Sequence, residues 1–487
     1  MVEGAASCNL PTVSLSVGSC NLTLPDGHVY SYGIRIGVNG TQLCASPSTV
    51  VANPLLEHVD VCTSQKKMTL GECRSRRGSY LNTSNIHTAA ASGLAEKNPN
   101  WVTLMGDDQP AFQLATDSPI QLQADIQAAV LSGCITRGDQ HTNSHFPLNE
   151  NSLVIKELQM NGLIAGNSWA LDVGDTSRRG RLTLGGYQPG RVDGPFQEYD
   201  MRKYDQKLND RYCPLQVTIA RLDFRVGNHS ISLVSPDLKV PACIEPYDKL
   251  TRFPESLLRD LRNFTTGETG WTEEPNDEEG RYGDLLDLEP GLIYRVAPNS
   301  TVAMSMEITL DGGQRFVIPT DRLLAPLSGL DPDGAPVVND AFREVQVYRE
   351  PGVGLAPVLG RSFLSQAYLF VDYGALTFKL GPLSPDASAA GGDVASSGRC
   401  SGGGGGGGGG GKLGGVAIGL IVVGVVLLAV CIWVVYRWVA GRRESGGEPT
   451  EAQKPGPNSP AEPPSVDTNP PADTQRKRPT IGTEMVL

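Results

Sequence analysis

The residues that could do chemistry centre on "KVPACIEPYDKLTRFPESLL", Lys239 to Leu258. An apolar run leads to one carboxylate, Glu245, then to turn-like residues, then to "FPESLL", which suits a helix start. A carboxylate at the end of an apolar run is placed for general acid or base work. Two in contact share a proton, because like charges that close cannot both ionise. A second carboxylate beside Glu245 would make such paired chemistry available. Asp60, Asp175 in "DVGDTS", Asp248 and Asp372 in "VDYG" are the aspartates weighed for that role. Each reads instead as a surface or turn residue.

The elements that would position such groups are mostly strands. Residues 25–382 read as short runs rich in β-branched or aromatic residues, such as "YSYGIRIGV", "PLQVTIARLDFRVG" and "AYLFVDYGALTFKLG". Gly, Pro, Asn and Asp break them. "LDGGQ" between two alternating runs predicts a hairpin. Helix pattern is confined to "SPIQLQADIQAAVLSG" and "PESLLRDLRNF". The stretch is long for one β unit, so two lobes are expected, 25–200 and 201–382, after an N-terminal segment 1–24. Residues 267–290 carry nine acids and one Arg, and read as a solvated loop.

From Leu413 to Val435 the chain has 23 residues without a charge. At 1.5 Å per residue they span a bilayer core of about 30 Å. Trp433, Tyr436 and Trp438 mark one interface, and a transmembrane helix is expected over 413–438. Arg437, Arg442 and Arg443 follow, against only Lys412 before, which puts 439–487 in the cytoplasm and the N-terminal side outside or lumenal, at the cell surface or a secretory-pathway membrane. The first residues lack the pattern of a signal peptide, and a truncated start is the expected reason. Residues 383–412, with ten consecutive glycines, read as a flexible spacer. The Pro-rich tail reads as disordered and suited to recruiting a cytoplasmic partner.

Six sequons, at Asn21, Asn39, Asn82, Asn228, Asn263 and Asn299, all precede the apolar span. So do nine of ten cysteines, which suits disulfides in an oxidising compartment. Nine is odd, and Cys400 is the expected leftover thiol. A net charge of −12 offers no basic face for nucleic acid.

Three stretches together resemble pepsin-like aspartic proteases. They are "YGIRIGVNGTQLCASPSTVV" (32–51), "SWALDVGDTSRRGRLTLGGYQPGRVDG" (168–194) and "VLGRSFLSQAYLFVDYGALTFKLGPL" (358–383). The resemblance implies a mostly β, bilobal fold with a cleft between the lobes, no metal and no organic cofactor. It also implies two aspartates, one per lobe, each in an Asp-Thr/Ser-Gly turn. Here the first slot falls on "PSTVV", with Ser48 in the aspartate's place, Thr49 in the threonine's and Val50 in the glycine's. The second falls on "ACIEPYDKL", with Glu245 in the aspartate's place and Pro246-Tyr247 after it. A serine cannot share a proton as a carboxylate does, and proline removes a backbone N–H from the second turn. Ser48 and Glu245 are thus expected to face each other as a degenerate dyad, with no catalytic residue. The resemblance further implies a Cys62–Cys73 disulfide, and places Tyr80 near the family's flap, where a packed tyrosine is the plainer reading.

The expected function is a single-pass membrane glycoprotein whose inactive ectodomain binds a peptide or glycan ligand or senses the surface. The alternatives are an active membrane-anchored aspartic endopeptidase with an atypical site, and a structural or adhesive surface protein.

Overall fold

The computed structural model describes residues 11–24, 27–64, 68–82, 88–90, 114–135, 143–175, 178–209, 211–275, 281–282, 285–286, 290–297, 302–349, 356–385 and 394–396. They fall in one compact unit, Met1–Ser401. The span at 413–438, the tail at 439–487, and Cys8, Asn299, Cys400 and Cys431 lie outside the described residues. No helix among the described residues is long and apolar enough to cross a membrane.

The fold is mostly β. Its largest sheet has fifteen strands. One path through it runs Gln197–Asp200, Thr377–Pro382, Ala367–Asp372, Ser168–Gly174, Arg179–Leu184, Val13–Leu24, Gly27–Val38 and Thr41–Ser48. Strands from the start, middle and end of the chain therefore meet in one layer. An eight-stranded sheet is built around Gln216–Val226, and a six-stranded one includes Leu324–Leu330 and Pro336–Val345. A continuous core joins the halves, with Phe146 and Trp169 of the first beside Phe253, Phe363 and Phe378 of the second in one apolar cluster.

Three sequence expectations change. Residues 13–24 do not precede the first lobe: Val13, Leu15 and Val17 are buried at period two, and their strand sits between Arg179–Leu184 and Gly27–Val38. "SPIQLQADIQAAVLSG" is not a helix but three strands, Ile120–Gln123, Ile126–Ala128 and Ser132–Ile135. Ile120, Leu122, Ala128 and Val130 are buried, all at even positions, so the period is two and not 3.6. The spacer does not begin freely at 383, since Ala395–Ser396 pairs with Gly186–Tyr187. Among the described cysteines Cys134, buried on a strand, is unpaired; Cys400, the expected leftover thiol, lies outside the described residues.

The other helix forms as read, at Glu255–Thr269. Leu258, Leu261 and Thr265 form its buried stripe, and Gly270, at φ 68°, caps its end. The "LDGGQ" hairpin joins Met304–Leu310 to Arg315–Ile318.

The two halves repeat one pairing pattern around the candidate positions. In the first, Thr41–Ser48 pairs in parallel with His145–Pro147, which pairs antiparallel with Leu55–Glu57, which pairs in parallel with Ser132–Ile135. In the second, Val240–Ile244 pairs in parallel with Val358–Leu359, which pairs antiparallel with Thr251–Phe253, which pairs in parallel with Val347–Arg349. The amide of Ser46 donates to Ser144 O, and that of Cys243 to Pro357 O, both at 2.8 Å. His145 opposes Leu55, and Val358 opposes Arg252. This register makes Ser46 equivalent to Cys243 and Leu55 equivalent to Arg252, so Ser48 is equivalent to Glu245.

Candidate functional site

Both equivalent positions lie at strand ends, where the parallel ladder hands the chain to a turn. Ser48 closes Thr41–Ser48, and its carbonyl accepts from the Leu148 amide at 2.8 Å. Glu245 follows Val240–Ile244, and its amide donates to Leu359 O at 3.3 Å. Ser48 and Thr49 are fully buried, and Glu245 is 3% exposed. Apolar strands drive both turns into the centre of the molecule.

The contact across the halves is made by Thr49, not by Ser48. Its Oγ1 donates to Glu245 Oε2 at 2.5 Å, and its amide donates to Oε1 at 3.3 Å. The Tyr247 amide donates to the same Oε1 at 3.0 Å. These three donors converge on a group that, when ionised, only accepts hydrogen bonds. The Ser48 hydroxyl instead accepts from the Val50 amide within its own turn, at 3.4 Å. Val50 and Val51 pack with Leu55, Val61, Ile135 and Tyr212, so apolar side chains stand where the resemblance implies an open, glycine-containing turn.

Aromatic rings close the surroundings. His145 stacks on Tyr247 with ring centroids 4.3 Å apart. The imidazole is fully buried, neither ring nitrogen has a hydrogen-bond partner among the described residues, and burial pushes its pKa down to about 3. It is neutral at physiological pH. Tyr212 and Tyr373 have pKa values raised, first by burial and further by nearby negative charge that includes Glu245.

The other carboxylates weighed from sequence are committed elsewhere. Asp60 is 58% exposed and lies 3.2 Å from His58 Nδ1. Asp175 pairs with Arg322 at 2.9 Å. Asp248 accepts from the Leu250 amide at 3.1 Å and from Arg252 Nε at 2.5 Å. Asp372 accepts from the Ala375 amide in a turn. Cys62 is bonded to Cys73, Cys20 to Cys44 and Cys213 to Cys243. Tyr80 is 9% exposed and packs on Met68 and the Cys62–Cys73 pair. Asn21, Asn39, Asn82, Asn228 and Asn263 are all exposed. No cluster of three or more His, Cys, Asp or Glu among the described residues is arranged to hold a metal.

The sequence reading missed three participants: Thr49 as the cross-half donor, and His145 and Tyr247 as its neighbours. One signal was present. Ser48 to Leu55 and Glu245 to Arg252 have the same separation, so the halves align in number as well as in pattern.

Comparison with protein families finds no match, and comparison with curated proteins finds none. Among solved structures, the chain is similar to the aspartic proteinase from Irpex lacteus, at 16% identity and a TM-score of 0.47, over 77% of this chain and 99% of that one.

Proposed function

We propose that the described unit is a pepsin-like ectodomain in which paired-carboxylate chemistry is lost, held on a single membrane span, and that it binds a peptide or glycan ligand between its halves without cutting it. One observation carries this reading. Internal symmetry makes Ser48 the counterpart of Glu245, and a hydroxyl, not a carboxyl, bonds to Glu245 across the halves. An aspartic-type mechanism needs one carboxyl as base toward water and another as acid toward the substrate carbonyl. A serine does neither at neutral or mildly acidic pH, and loss of a catalytic group costs several powers of ten in rate. The membrane part rests on the uncharged 23-residue run and the arginines that follow it. On the same basis, the tail recruits a cytoplasmic partner.

The test is proteolysis by the purified full chain on a diverse peptide library from pH 3 to 7, with and without a transition-state inhibitor of aspartic proteases. No inhibitor-sensitive cleavage is expected, with uncut peptides or glycans retained. Cleavage that the inhibitor blocks and Glu245→Gln abolishes would sink the reading.

A further inference from the structure

Two cavities among the described residues have neither Ser48 nor Glu245 in their walls. The larger, about 730 Å³, is lined by five arginines: Arg178, Arg179, Arg181, Arg191 and Arg322. We propose that it is a binding site for a small polyanion, a ligand carrying two or more carboxylate, sulfate or phosphate groups.

The charge balance points this way. Asp172 and Asp175, with Asp321 at the rim, face the five guanidiniums, which leaves an excess of two positive charges. The chain as a whole carries −12, so the cavity stands against the protein's own field. Three of the arginines are fixed by carboxylates. Asp172, fully buried, pairs with both Arg178 and Arg191, and Arg322 pairs with Asp175 at 2.9 Å. Arg191 Nε also donates to Gln188 Oε1 at 2.6 Å.

The other two arginines are left for a ligand. Arg179 and Arg181 sit two apart on Arg179–Leu184, so they project from the same face of the sheet. Arg181 opposes Asp172 on one neighbouring strand and Ser16 on the other. Neither Arg179 nor Arg181 makes an ion pair with a described residue, although both border the cavity. Ser16, Gln366 and Ser384 add hydroxyl and amide donors around the same space. Planar guanidiniums take oxyanions through paired N–H bonds, and a cavity of this size suits a molecule of a few hundred daltons.

The experiment is calorimetric titration of the full chain in detergent with four probes: inorganic sulfate, pyrophosphate, citrate and a sulfated disaccharide. At least one multivalent probe is expected to bind more tightly than sulfate, and the four together separate phosphate, carboxylate and sulfated-sugar sources. Arg179→Ala combined with Arg181→Ala is expected to weaken binding about tenfold or more for each guanidinium lost. Arg179→Lys with Arg181→Lys keeps the charge and removes the fork, so it should recover part of that loss and guards against a fold effect. No binding of any probe at millimolar concentration, or binding unchanged in the alanine pair, overturns the proposal.

Discussion

At the residue scale, the decisive contact is the short bond from the Thr49 hydroxyl to Glu245. It is buried, so removing the donor leaves a carboxylate oxygen without that partner in a place water reaches poorly. Thr49→Val is expected to destabilise the chain by about 1–3 kcal/mol, and Thr49→Ser much less. Urea denaturation of the two variants checks this, and a larger loss in Thr49→Ser than in Thr49→Val would mean that the threonine methyl, not the hydroxyl, matters. The identities at these positions were legible in the sequence, because Ser48 and Glu245 can be counted from nearby motifs. Which residue bridges the halves was not. A one-residue difference between Ser48 and Thr49 is set by how each turn rolls at its strand end, and composition and spacing do not encode that roll.

At the element scale, the repeated ladder depends on close backbone approach beside the Glu245 turn. Gly360 follows Val358–Leu359, and a Cβ there would lie 2.1 Å from Leu250 O and 2.5 Å from Asp248 O. Backbone atoms cannot yield as a flexible side chain can. Gly360→Ala is therefore expected to cost about 1–3 kcal/mol in thermal or denaturant unfolding, as overpacking does. A near-neutral result would mean that the second-half turn is looser than its geometry. The strands around Gly360 were readable as short β-branched runs, and Glu255–Thr269 as an amphipathic helix with a glycine stop. Residues 118–133 were misread because the Gln- and Ala-rich composition favours helix, while the period-two burial of Ile120, Leu122, Ala128 and Val130 belongs to a sheet. Tertiary pairing overrode propensity there. The strand Val13–Leu24 was missed for a different reason: its partners, Gly27–Val38 and Arg179–Leu184, include one far along the chain.

At the scale of the whole molecule, stability should fall in acid through His145. Its pKa is 6.5 when exposed in the unfolded chain and about 3 when buried in the fold. Below 6.5 the unfolded chain takes up a proton that the folded chain refuses until about pH 3. The contribution is therefore complete above pH 6.5 and declines between these values, by about 1.4 kcal/mol per pH unit. His145→Phe keeps a ring against Tyr247 and removes the proton site. Its unfolding free energy should depend on pH less steeply between 6.5 and 3, by about one proton; an unchanged slope would show that other groups set the acid limb.

The fifteen-stranded sheet has a mechanical meaning as well. The last long strand, Thr377–Pro382, is gripped on both edges, by Gln197–Asp200 and by Ala367–Asp372. Beyond it, among the described residues, the bridge of Leu383 to Val192, the Ser384 amide on Arg191 O, and the two-residue pairing of Ala395–Ser396 with Gly186–Tyr187 hold the chain. A tug from the C-terminal side would first peel that short clip and then load two ladders in shear, with many hydrogen bonds sharing the force at once. The clip gives before the body does, so the described unit can release a short length of chain without coming apart.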